Sequence, residues 1–266
     1  MFKDGARPEF IPERIFDLIR LVSSKEVTFR DAEELLEPLA LNKNYEYFNL
    51  VCNASIELGL INKIDNKLIY VGDERITKSL EAFRKHCNSV IWKDEESTFF
   101  KISRAYIQSN FDFLNEDSIL SPVVNDNIRK NTNNDPNADV NRLRGHRFWM
   151  SFLGLGYIQE IGTSIYFLPN MYVALKDFIE LLNFDKNREY SISEFLNEIS
   201  NVSNIWKSGK EPSLQLSAAL SCALRTLHDK HEIKLKRNLD SKEVWRMTRS
   251  ETHTFTEITH LIIGGK

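Results

Sequence analysis

After Pro12, apolar residues recur at helical spacing: Ile15, Phe16, Leu18, Ile19 and Leu21 share one side, and proline suits a first helical turn. Thr28 then precedes Phe29 to Leu36, where it can cap and where Asp31 and Glu33 favour the positive end of a helix. A third helix is predicted from about Asn44 to Leu58, with Tyr47, Val51, Ala54 and Leu58 on one face and Gly59 as its left-handed stop. Leu60 to Ile64 and Leu68 to Val71 follow as two short strands around the polar turn Asp65-Asn66-Lys67. Three helices and a hairpin make a winged-helix order. The segment Ile76 to Phe83 reads as a helix linking this unit to the next.

The pattern returns further along. Leu58-Gly59-Leu60-Ile61 matches Leu155-Gly156-Tyr157-Ile158 at an offset of 97 positions, which pairs Ile56 with Leu153 and continues through a second hairpin. The helices of this second unit are read as Phe99 to Gln108, a stretch within Phe113 to Leu120, and Asp139 to Leu155, with Gly145 inside the last. Between the last two lies an Asn- and Asp-rich loop, 125–137, too polar to bury itself and expected to be mobile. Tyr172 to Leu182 is assigned as a linker. In the last third, Ser191 with Glu194 opens a helix in capping-box style. Leu216, Ala219, Leu220, Ala223, Leu224 and Leu227 then line a second helix between Pro212 and His228, leaving Ser217, Ser221 and Arg225 on its other side. His231 to Arg237 and Lys242 to Met247 are predicted to pair as a basic hairpin, with His260 to Ile263 as an added strand. The expected fold class is mainly α with small β-hairpins (α+β), in three tandem winged-helix-like domains: 1–90, 91–185 and 186–266.

Composition narrows the role. Of 266 residues, 42% are hydrophobic and 27% charged, which excludes a fibrous or wholly disordered chain. A formal charge of −3 provides no global field for nucleic acid, so any such contact must be a local patch. No run approaches the ~20 apolar residues of a membrane span, and the first residues lack a signal core; the expectation is a soluble, cytoplasmic protein. Cys52, Cys87 and Cys222 are too scattered for a zinc or dithiol site and read as reduced core thiols.

The three third helices differ in charge. Glu46, Asn49, Asn53 and Glu57 line the outer side of the first, where carboxylates repel phosphate, so this unit is assigned to a protein interface. Asn141, Arg142, Arg144, His146 and Arg147 crowd the start of the second, the strongest candidate for duplex DNA; the bland reading is a solvated helix start paired with Asp135 and Asp139. In the third unit Arg225, Lys230, Lys234, Lys236, Arg237, Lys242, Arg246 and Arg249 exceed Asp229, Glu232, Asp240 and Glu243 by four charges. A phosphate-binding wing would use them, and cross-strand ion pairing is the alternative. Trp149 and Trp245 read as core or interface anchors.

Catalytic motifs are weak. No phosphate-binding loop, GxGxxG or GxSxG occurs, and His228 with His231 lacks a third metal ligand. Glu232-Ile233-Lys234 is half of a nuclease motif whose other half is missing. The chain is read as non-enzymatic, with no cofactor, no metal and no catalytic residue.

Pro12-Glu13-Arg14-Ile15-Phe16-Asp17-Leu18-Ile19-Arg20-Leu21-Val22, the Phe29 to Leu36 helix and the Leu58-Gly59-Leu60-Ile61 junction resemble DpdG-type proteins of bacterial deazapurine-in-DNA modification and restriction clusters. The resemblance covers mainly the first seventy residues and transfers no catalytic residue. It implies an accessory subunit of an anti-phage defence system working beside helicase and nuclease partners. Three functions follow: an adaptor bridging DNA and a protein machine, a purely protein-binding structural subunit, or a metal-dependent nuclease centred on Glu232 and Lys234.

Overall fold

The structure is a computed structural model that describes residues 2, 10–38, 40, 46–108, 114–115, 128, 132, 140–207, 214–250, 252–253 and 256–264. It is a mixture of helices and small antiparallel sheets. The chain opens with α1 (Pro12–Ser24), β1 (Val27–Thr28), α2 (Phe29–Leu36), α3 (Glu46–Glu57), β2 (Ile61–Ile64) and β3 (Lys67–Tyr70). Pro12 starts α1, which buries Ile15, Phe16, Leu18, Ile19 and Val22. Thr28 Oγ1 caps α2 by accepting from the Asp31 amide at 3.1 Å. A 3-10 turn, Glu74–Lys78, then leads to α4 (Leu80–Val90), capped by Ser79, so the predicted linker helix lies later than Ile76 to Phe83.

The second stretch contains α5 (Thr98–Gln108), β4 (Leu114–Asn115), α6 (Val140–Phe152), β5 (Gly156–Ile161) and β6 (Ser164–Pro169). Leu114–Asn115 is a strand paired with β6, not part of the helix expected within 113–120, whose other residues lie outside the described ones. The 125–137 loop also lies outside them, apart from Ile128 and Thr132, which are buried. The last third contains α7 (Tyr172–Leu182), β7 (Glu189–Ser191), α8 (Ile192–Ile199), α9 (Ala218–Asp229), β8 (Ile233–Lys236), β9 (Trp245–Arg246), β10 (Glu257–Ile258) and β11 (His260–Ile263).

Three sheets share one order, with the last strand in the middle: β1-β3-β2, β4-β6-β5 and β7-β11-β8. The predicted hairpin of 231–237 with 242–247 does not form. β8 pairs with β11, and β9 pairs with β10 as a separate ribbon, because the chain from 237 to 259 leaves the sheet before returning. Tyr172 to Leu182 is also more than a linker: α7 packs against α9 and α8 in the way α1 packs against α3 and α2.

The clearest recurrence is in the backbone. Gly59, Gly154 and His231 all adopt left-handed φ, at 69°, 77° and 59°. Their amides donate three residues back, to the carbonyls of Ile56 (2.9 Å), Ser151 (3.1 Å) and His228 (3.0 Å). The following amides of Leu60, Leu155 and Glu232 reach the Ser55, Met150 and Leu227 carbonyls at 3.0, 2.9 and 2.9 Å. The carbonyls of Leu60, Leu155 and Glu232 in turn accept from Val71, Asn170 and Gly264, closing each pair of strands. Gly59 therefore corresponds to Gly154, and the offset of 97 is corrected to 95. Ile56 is 37% exposed whereas Leu153 is fully buried, as its true counterpart Leu58 is.

These two glycines are not equivalent energetically. A Cβ at Gly59 meets nothing within 4 Å, so Gly59→Ala is expected to cost about 1 kcal/mol, the backbone preference alone. At Gly154 a Cβ would lie 2.5 Å from Val173 Cβ and 2.8 Å from the Ala174 amide, and Gly154→Ala is expected to cost about 2–4 kcal/mol. Urea unfolding of both variants checks this; equal costs would contradict the packing of α7 on the end of α6.

The three stretches share one apolar core. Between the first and second, Phe10 stacks on Trp149 at 4.9 Å while the Trp149 indole donates to the Phe10 carbonyl at 2.9 Å. A buried polar network links all three stretches through α4, the end of α6 and α7. Arg84 donates to both oxygens of Asp177 (2.8 and 3.1 Å). Asn88 Nδ2 donates to Asp177 and to the Leu153 carbonyl, and Trp92 Nε1 donates to Asn88 Oδ1.

Candidate nucleic-acid interface

The predicted basic residues separate into buried, paired and open groups. His146 and Arg147 lie inside α6's packed side, and Arg142 and Arg144 are half-buried, so the crowded start of this helix is not an open cationic surface. His146 Nε2 shares a 2.8 Å hydrogen bond with Ser103 of α5, and its ring lies 4.3 Å from Phe99. Burial without a countercharge lowers its pKa to about 3. A neutral, enclosed imidazole cannot meet phosphate, which corrects the assignment of His146; the burial of Arg147 corrects that residue likewise.

In the third unit α9 begins at the Ser217 cap and buries Ala218, Ala219, Leu220, Ser221, Ala223, Leu224, Arg225 and Leu227. Arg225 is thus also inside, and Nη2 donates to the Thr248 carbonyl at 2.7 Å. Lys236 is ion-paired with Glu189, whose carboxyl is held below its ordinary pKa first by Lys236 and then by Asn238. Arg237 reaches Glu257 at 3.4 Å and the Asn238 carbonyl at 2.8 Å. Lys234, Lys242 and Arg246 remain exposed and make no ion pair among the described residues. Arg246 is positioned by its backbone: its amide donates to Leu214 and its carbonyl accepts from Leu216, while neighbouring Trp245 points inward and donates to Ser193 Oγ at 3.0 Å. The open cations of the candidate site are therefore Lys234 on β8, Lys242 in the chain after it and Arg246 on β9.

On the first unit, Asn49, Asn53 and Glu57 form an exposed row on α3. Glu57 Oε2 accepts from the Phe2 amide at 3.1 Å, and the side chain of Glu46 lies outside the described residues. The half-motif Glu232-Ile233-Lys234 does not converge: Glu232 is held by the Tyr172 hydroxyl (2.8 Å) and Lys176 (3.1 Å), while Lys234 points to solvent. Among the described residues no group of three or more His, Cys, Asp or Glu could hold a metal ion. Cys52 and Cys87 are buried and Cys222 partly so, and burial raises all three thiol pKa values.

One residue that sequence reasoning missed is Thr248, whose amide donates to Ser221 Oγ at 3.0 Å. The four-residue spacing of Ser217, Ser221 and Arg225 is the signal that this side of α9 had a polar partner. Among the described residues no helix is long and apolar enough to cross a membrane.

No curated protein and no solved structure matches the chain. A family model described as DpdG-like matches residues 6–241. That match covers the described helices and strands β1 to β8 and ends before β9, and by it the chain belongs to the DpdG-like family.

Proposed function

We propose that the chain is a non-enzymatic accessory subunit of the Dpd modification system, built as three tandem winged-helix units that hold duplex DNA at one end and a protein partner at the other. Family membership supports the system. The common strand order and the threefold recurrence of the left-handed helix stop support the tandem units. The observation that carries the bridging role is the contrast between two faces: Lys234, Lys242 and Arg246 in the third unit are exposed and make no ion pair among the described residues, whereas the exposed row of α3 in the first is polar to acidic. Phosphate contacts come from the third wing because displacement of counterions needs exposed cations, and buried His146, Arg147 and Arg225 cannot serve in this conformation.

Lys242→Glu with Arg246→Glu is expected to weaken binding to a short mixed-sequence duplex at least tenfold in a mobility-shift titration, with the unfolding midpoint unchanged. Asn53→Arg with Glu57→Arg is expected to leave duplex binding intact and to reduce co-purification with other Dpd components. Unchanged duplex affinity in the first variant overturns the DNA role. The burial of His146, Arg147 and Arg225 favours a second reading, a purely protein-binding subunit, and that reading would then stand.

A further inference from the structure

The third unit differs from the first in one respect that changes its chemistry: its wing covers its own third helix. Counting back from the left-handed residues Gly59 and His231, Asn49 and Asn53 on α3 correspond to Ser221 and Arg225 on α9. The α3 pair is open to solvent, and the α9 pair is shut in. In the first unit the strands of the wing are joined by the tight turn at Asp65 and Asn66, both with left-handed φ, whereas in the third the chain runs from 237 to 259 before β11 begins. Part of that excursion, Thr248 to Ser250, meets α9 at Thr248. It is fastened to the helix through Thr248, whose amide donates to Ser221 Oγ (3.0 Å), whose carbonyl accepts from Arg225 Nη2 (2.7 Å), and whose hydroxyl donates to the Leu216 carbonyl (3.4 Å). A second fastening lies further on, where His253 Nε2 meets Asp229 Oδ2 at the end of α9 (2.9 Å).

What lies beneath is unusual for a structural contact. Arg225 is 4% exposed, has no carboxylate in ion-pair range among the described residues, and its buried Nε has no hydrogen-bond partner there. A guanidinium carries five donors in a planar fork, and here the Nε donor is left without a partner in a desolvated place. A helix interior built only for stability would place an apolar side chain here. The residues before the covering segment are firmly held: Trp245 by Ser193, Arg246 by the Leu214 and Leu216 backbone, Met247 by the Thr256 carbonyl. Movement can therefore begin after Met247 without dismantling β9. Arg246 precedes the segment and Arg249 lies within it, both exposed and neither ion-paired among the described residues.

We propose that Thr248 to Ser250 form a strap over an anion site on α9, and that lifting the strap lets Arg225, with Ser221, take a phosphate of duplex DNA. The proposal rests on the adaptor reading and deepens it: Lys242 and Arg246 make the first contact with the strap closed, and Arg225 engages once it opens. A fork that matches phosphate, a hydroxyl one helical turn away and the nearby guanidinium groups of Arg246 and Arg249 favour a nucleic-acid backbone over an acidic protein segment.

Hydrogen–deuterium exchange of the full chain, with and without a short mixed-sequence duplex, tests the movement. Uptake at 247–250 is expected to rise when the duplex binds; protection there overturns the proposal, and opening by polyglutamate but not by duplex overturns the ligand. Thr248→Pro removes the amide that bonds Ser221 and is expected to tighten duplex binding about fivefold, the equivalent of one lost hydrogen bond. Adding Arg225→Met is expected to erase that gain. A gain that persists without Arg225, or no gain in a folded Thr248→Pro protein, sinks the strap while leaving the Lys242 and Arg246 result to judge the adaptor. Should Thr248→Pro fail to fold, the exchange experiment on the unaltered chain still decides.

Discussion

Asp177→Ala is expected to lower the unfolding free energy by about 3–5 kcal/mol, because it removes one half of a buried pair and leaves the other half behind. The Asp177 side chain is 1% exposed and accepts from Arg84 twice and from Asn88 once. Without it Arg84, only 21% exposed, keeps its charge and loses its partner, while Asn88 retains the Leu153 carbonyl. Arg84's guanidinium pKa is raised chiefly by its hydrogen bonds to Asp177, which marks the charged form as the one the fold supports. The double replacement Arg84→Met with Asp177→Leu is expected to recover most of the loss, since exchanging a whole buried pair for apolar side chains is often neutral. The network joins α4, which follows the β2–β3 hairpin, to α7 in the last third of the chain, so guanidinium unfolding of Asp177→Ala is expected to broaden or split into two steps. A cost below about 1 kcal/mol would mean that the network is not a structural joint.

Mild acid is expected to destabilise the protein through His146. In the folded state its pKa is about 3, against about 6.5 for an unhindered imidazole. Above pH 6.5 the ring is neutral in both states and its contribution is fully present. As pH falls below that value the unfolded chain takes up a proton that the folded chain refuses, and stability is lost at about 1.4 kcal/mol per pH unit until the folded pKa is reached. The difference in slope between the unaltered chain and a variant lacking the ring isolates the imidazole's part. His146→Gln, which can still bond Ser103, is expected to flatten the unfolding free energy over this interval. An unchanged slope in the variant would place the proton elsewhere.

Much of the local structure was legible because it depends on neighbours in sequence. Pro12, the Thr28 and Ser191 caps and the β2–β3 and β5–β6 hairpins are each decided within a few residues, and the structure has them. Pairing partners were not. The alternation in 231–237 and 242–247 tells which face a residue takes but not which strand lies beside it, and β11 displaced the expected neighbour. The repeat offset failed for a similar reason: Gly154 and Gly156 lie two apart and both suit a helix-to-strand junction, and only the backbone bonds of Gly154 and Leu155 separate them. At the candidate site, residue type was a poor guide to exposure. Arg147 and Arg225 are buried, and Lys236 finds Glu189 forty-seven residues away, a contact that no local pattern announces. Lys242 and Arg246 were legible as cations; that they are left open while their neighbours are engaged needed the fold.

The salt dependence of duplex binding tests the DNA-bridging role most directly. For the unaltered chain the logarithm of affinity should fall linearly with the logarithm of salt concentration, and Lys242→Glu with Arg246→Glu should reduce that slope by about 2, close to one released counterion for each lost phosphate contact. A slope unaffected by the two replacements, or the absence of measurable duplex binding at low salt, would contradict it.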